Sequence, residues 1–103
     1  MKVEILYFDG CPSWREAWTV VGDALAQARV SAEVRLVNVE GMSDEALAGF
    51  AGSPTVRIDG RDLERFDGAP VHACRRYMAN DGKGWPTVDA VVAALEEAEA
   101  QEL

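Results

Sequence analysis

The change of hydrophobic period between residues 8 and 14 constrains this chain more than any other feature. Val3-Glu4-Ile5-Leu6-Tyr7-Phe8 is an almost unbroken apolar and aromatic run, the pattern of a short strand covered on both faces. Beyond Asp9-Gly10-Cys11-Pro12 the apolar residues Trp14, Trp18, Val21, Leu25 and Ala28 recur every three or four positions, which places them on one stripe of a helix. Pro12 suits the first helical position, where an N–H is not needed. Val34-Arg35-Leu36-Val37-Asn38-Val39 then reads as a second strand. A strand, a helix and a strand so closely spaced form a right-handed unit with two parallel strands, and the cysteine sits at its first junction.

The remaining elements follow from turn and cap signals. Ser43 can cap a short helix with Asp44 and Glu45 in its first turn and with Leu47, Phe50 and Ala51 on its buried side. Gly52-Ser53 closes it, and Pro54-Thr55-Val56-Arg57-Ile58 is a third strand ending at the turn dipeptide Asp59-Gly60. Residues 61–70 are polar and irregular, and Val71 to Met78 is read as a fourth strand. After a loop at Asn80-Asp81-Gly82-Lys83-Gly84, a last helix is expected from about Thr87, with Val88, Val91, Val92 and Leu95 on one face. The order β-α-β-α-β-β-α describes an α/β (α+β sandwich) fold, a four-stranded mixed sheet flanked by helices. Its 103 residues form one domain with a single core.

Charge narrows the partners. A net charge of −8 argues against nucleic acid and anionic membranes, which require a basic face. No uncharged stretch reaches the 18 or so residues of a membrane helix. Met1-Lys2 leads directly into the strand pattern without a basic-then-apolar leader. The expectation is a cytoplasmic protein, monomeric or weakly dimeric through an edge strand, with both cysteines reduced. Glu96 to Leu103 contributes four of the acids and reads as a solvated helix end.

The chemistry points to Cys11. The start of a helix exposes unpaired N–H groups and carries about half a positive charge, which favours thiolate over thiol. Arg15 one turn on would assist, and Asp9 would oppose. The plainer alternative is a leftover cysteine on a domain that only binds. Cys74 is a candidate resolving cysteine if its Cα lies within about 7 Å of that of Cys11, although a strand cysteine is more commonly a small buried apolar residue. His72 and Cys74 share a strand face, so capture of a thiophilic metal such as mercury or zinc by Cys11 with either of them is a third reading, without a closed ligand set. No metal or cofactor is called for. Trp14, Trp18 and Trp85 read first as packing residues, with Trp14 also placed to shield Cys11 or wall a ligand. Arg75 and Arg76 point to opposite faces of their strand.

Two local features, with the order of elements, carry a resemblance. Gly10-Cys11-Pro12-Ser13-Trp14 stands where the thioredoxin superfamily keeps its Cys-x-x-Cys, and Gly52-Ser53-Pro54-Thr55-Val56 resembles the element that carries its cis-proline. Over nearly the whole chain the pattern is similar to the small glutaredoxin-like branch. The resemblance implies a cis Pro54 opposite Cys11, a Ser53 backbone free to pair with an extended substrate, and a central first strand with the strand from Pro54 antiparallel beside it. Trp14 replaces the second cysteine, so a dithiol cycle inside the motif is impossible. Residues 80–84 only loosely resemble the signature with which glutaredoxins hold glutathione. The implied function is that of a monothiol redox protein, a candidate thiol-disulfide oxidoreductase. Its Cys11 thiolate would exchange with disulfides, or be oxidised and then resolved by an external thiol or Cys74. Pro12, Trp14, Ser53 and Pro54 would contact the substrate, a low-molecular-weight or protein thiol or disulfide. The alternatives are a scaffold without turnover and thiophilic-metal binding by Cys11.

Overall fold

The computed structural model describes residues 1 to 101; Glu102 and Leu103, at the end of the expected solvated helix, lie outside the described residues. The elements are β1 (Lys2–Tyr7), α1 (Trp14–Ala28), β2 (Glu33–Asn38), β3 (Thr55–Ile58), β4 (Arg61–Asp62), a 3-10 turn at Met78–Asn80, and α2 (Val88–Gln101). They make a four-stranded mixed sheet in the order β2-β1-β3-β4, flanked by the two helices. β1 and β2 run parallel from Lys2 opposite Glu33 to Tyr7 opposite Asn38. β3 lies antiparallel on the other side of β1, from Ile58 opposite Val3 to Thr55 opposite Leu6. The first strand is therefore interior to the sheet.

The alternation along β1 sorts the core. Val3 and Ile5, with Val56 and Ile58 of β3, pack under Ala17, Val21 and Ala24 of α1 and under Val91 and Leu95 of α2. Leu6 faces the other way and joins Val39, Leu47 and Phe50, with Phe8 and Val37 against them. Both helices thus cover one face, and the segment after β2 covers part of the other.

Three elements differ from the sequence reading. Ser43 caps as expected, its Oγ accepting from the Ala46 N–H at 3.2 Å, and Leu47 and Phe50 are buried. Residues 44–49 are nevertheless a run of turns, not a helix. The Ala48 N–H bonds three residues back to Glu45, and Gly49, at φ 79°, ends the coil before it can propagate. The expected strand at 71–78 makes no ladder, only single bridges pairing Ser53 with Cys74 and Tyr77 with Lys83. The free side of β3 is taken by β4 instead, because Asp59-Gly60, both at positive φ, reverses the chain at once. Finally, α1 begins with Ser13 as its N-cap. Pro12 belongs to the preceding turn, its carbonyl accepting from the Arg15 N–H at 3.2 Å. The last helix starts where expected, with Thr87 Oγ1 accepting from the Ala90 N–H. Among the described residues no helix is long and apolar enough to cross a membrane.

Candidate functional site

Cys11 and Cys74, 63 positions apart in the chain, are joined by a disulfide with their Cα atoms 5.9 Å apart. The expectation that both cysteines are reduced does not hold here, nor does the reading of Cys74 as a small buried apolar residue. The positions of the two sulfur-bearing residues are the reverse of that expectation: Cys11 is only 2 % exposed, and Cys74 is exposed. Cys11 is drawn in by the turn that leaves β1, where its N–H bonds to the Phe8 carbonyl at 3.3 Å. Cys74 rides outward because it alternates with Arg75 and Tyr77, which point into the protein.

The expected neighbours of Cys11 are in place in different ways. Pro12 is exposed and Trp14 half-buried. Trp14 packs against the helix-side core and lies 5.1 Å from the Tyr7 ring. Arg15 stacks over Trp14 at 5.3 Å, and Asp9 accepts a hydrogen bond from Asn38. The opposite wall of the site is the Ser53–Pro54 element. The Ser53–Pro54 bond is cis, both residues are buried, and Ser53 Oγ accepts from the Phe8 N–H at 3.2 Å.

The backbone of Ser53 is not free for a substrate. Its N–H donates to the Ala73 carbonyl at 2.9 Å, and its carbonyl accepts from the Arg75 N–H at 2.8 Å. The chain's own residues 73–75 therefore lie where an extended partner was expected. Gly52 makes this approach possible: it sits at φ 105°, and a Cβ there would stand 2.7 Å from the Ala73 carbonyl oxygen.

What the sequence reading missed is the anchor beneath this segment. The Arg75 guanidinium grips the Asp62 carboxylate with two bonds, Nη1 to Oδ1 and Nη2 to Oδ2, the latter at 2.8 Å. Their side chains are 4 % and 1 % exposed. Asp62 Oδ2 also accepts from the N–H groups of Glu64 and Phe66, and Glu64 Oε1 lies 3.6 Å from Arg75. Burial works against the charge on Arg75, but the bond to Asp62 and the surrounding negative groups outweigh it and raise its pKa. Arg75 also covers the Tyr77 ring at 4.2 Å. The Tyr77 hydroxyl donates to the Pro54 carbonyl at 2.8 Å and accepts from the Val56 N–H at 3.2 Å, and burial pushes its pKa upward. Arg76, on the other face, is exposed, as the alternation predicts. The signal for Arg75 and Tyr77 was their shared register; Asp62 gave none, standing in a stretch that reads as polar loop.

His72 does not join the cysteines. It bonds to Asp44 at 3.2 Å on the surface, and among the described residues no group of three His, Cys, Asp or Glu is placed to hold a metal. A cleft of about 290 Å³ between the β3–β4 turn and α2, lined by residues such as Ile58, Arg61, Leu63 and Ala98, contains neither cysteine. No protein-family model, curated protein or solved structure matches this chain.

Proposed function

We propose that this protein is a small thioredoxin-like redox protein whose working group is the Cys11–Cys74 pair, divided between the end of the first strand and a distant segment. The observation that carries the reading is a disulfide with one exposed and one buried partner, beside a buried cis Ser53–Pro54 bond. Of the two cysteines only Cys74 is exposed, so attack falls on its side of the bond. An external thiolate attacks Cys74 Sγ, the Cys11–Cys74 bond breaks, and its electron pair leaves on Cys11 as a thiolate. A second external thiolate then attacks the partner sulfur of the mixed disulfide and releases the Cys74 thiolate. Two external thiols become one disulfide, and the protein becomes a dithiol. In reverse, Cys74 attacks an external disulfide and Cys11 resolves the adduct.

Cys11 suits the part of leaving group. It precedes the N-terminus of α1, whose aligned amides favour negative charge. In a reducing cytoplasm the dithiol would be the resting form. The roles suggested by the resemblance are thereby exchanged: the motif cysteine resolves, and the distant cysteine meets the substrate.

The test is thiol-disulfide exchange by the wild type, Cys11→Ser and Cys74→Ser, with alkylation rates of the remaining thiol. Turnover should need both cysteines, and the Cys74 thiol of Cys11→Ser should alkylate at least about tenfold faster than the Cys11 thiol of Cys74→Ser. Background turnover in the wild type, or faster alkylation of Cys11, would refute the reading.

A further inference from the structure

The parallel bridge between Ser53 and Cys74 has the form of a bound peptide strand: one N–H and one carbonyl of Ser53 satisfied by residues on either side of a disulfide-bonded cysteine. Here the strand belongs to the chain itself. We infer that the site is closed to extended polypeptides by residues 73–75 and takes low-molecular-weight thiols and disulfides.

Closure in both redox states requires that the segment stay docked when the disulfide is reduced. The two bonds to Ser53 do not act alone. Arg75 is held by a buried carboxylate and Tyr77 by a carbonyl and an N–H of the Pro54–Val56 stretch. Undocking the segment would separate a buried ion pair and expose a buried phenol together. Together these losses oppose undocking whether or not the crosslink is present. The segment therefore stays in both redox states, and Ser53 remains fully buried with its two backbone groups in use.

A polypeptide approaching Cys74 then cannot pair with the backbone of Ser53. Two such bonds would give an extended peptide roughly a tenfold or greater advantage over a matched small disulfide. Without them the peptide loses that advantage at the exposed Cys74, and the small molecule loses less freedom in reaching it. Gly52 reinforces the closure, since its missing side chain lets Ala73 and Arg75 approach to a distance at which any other residue would collide.

The inference rests on the exchange reading for its kinetics, and a second measurement frees it from that dependence. Amide hydrogen exchange should show the Ser53 and Arg75 N–H groups protected in both disulfide and dithiol forms, within about tenfold of each other. Loss of that protection in the dithiol form overturns the proposal whether or not the protein turns over any thiol. In the kinetic arm, the reduced protein meets two mixed disulfides of 2-nitro-5-thiobenzoate, one on N-acetylcysteine amide and one on an extended hexapeptide with a central cysteine. Rates within about twofold support closure. A peptide rate more than about tenfold higher overturns it. If neither reacts, the exchange reading falls and the amide measurement alone decides this one.

Discussion

Removing the Asp62 carboxylate by Asp62→Leu should be the most damaging single change on the charged side of this protein. The substitution leaves the Arg75 guanidinium, 4 % exposed, with no bonded counter-charge, and breaking a buried pair in this way costs about 3–5 kcal/mol. The N–H groups of Glu64 and Phe66 also lose their acceptor, but these lie nearer to water and can be rehydrated. Glu64, one-third exposed and 3.6 Å from Arg75, can swing inward and recover part of the loss. The net cost should be about 3–4 kcal/mol, a large share of the roughly 5–15 kcal/mol that stabilises a domain. Such a loss corresponds to a fall in Tm of roughly 15–30 °C. Urea denaturation with the disulfide intact measures it, with Arg75→Met and the double variant completing the cycle. Arg75→Met should cost a similar amount, because it strands the carboxylate. The double variant should be less destabilised than Asp62→Leu alone, since an apolar pair of similar volume removes the unpaired charge along with its partner. A cost under about 1 kcal/mol for either single change, or a double variant at the sum of the two, would refute the account of this pair as a coupled anchor.

Gly52→Ala should destabilise by about 2–4 kcal/mol, from a methyl 2.7 Å from the Ala73 oxygen and an unfavourable positive φ; urea midpoints at unchanged m-value would show it, and a loss under about 0.5 kcal/mol would count against the close approach. Tyr77 gives a pH dependence. Its folded pKa is raised by burial, so its contribution is fully present below the ordinary phenol value near 10 and falls as pH rises through and above it, by at most about 1.4 kcal/mol per pH unit. Tyr77→Phe should abolish that part of the alkaline slope when its stability is compared with the wild type, and identical slopes would exclude the buried phenol as its source. The same variant leaves the Pro54 carbonyl and the Val56 N–H without their partner and should cost about 1–3 kcal/mol at neutral pH.

The sheet was legible because its signals are local. The unbroken apolar run of β1, the spacing of Trp14 to Ala28 and the Asp59-Gly60 turn each specify their own geometry; the place of β1 between β2 and β3 is not contained in any of them. The 71–78 segment failed for the converse reason. Its alternation correctly separates Arg75 and Tyr77 from Cys74 and Arg76, but alternation reports which side chains face inward, not whether a neighbour strand is available. β4 had already taken that place on β3. The partnership of Cys11 with Cys74 is only one option in the sequence, because nothing local distinguishes a resolving cysteine from an inert one. The exposure of Cys74 depends on the Arg75–Asp62 anchor, formed by residues whose pairing only the tertiary structure brings about. The helix start was misplaced by two residues because proline at Pro12 is as compatible with the turn before a helix as with its first position.

The linkage between Cys11 and Cys74 also divides the chain mechanically. It closes a ring that contains α1, β2, β3 and β4, and leaves β1 and α2 as the two tails. Tension applied at the termini must first strip β1 from its ladders with β2 and β3; once that has happened, the sulfur bridge carries the load past the enclosed strands. Cutting the bridge adds the 63 positions it spans to the stretchable contour, roughly 200 Å at about 3.3–3.6 Å per residue. Under load, the oxidised and reduced chains are therefore tethers of two different lengths.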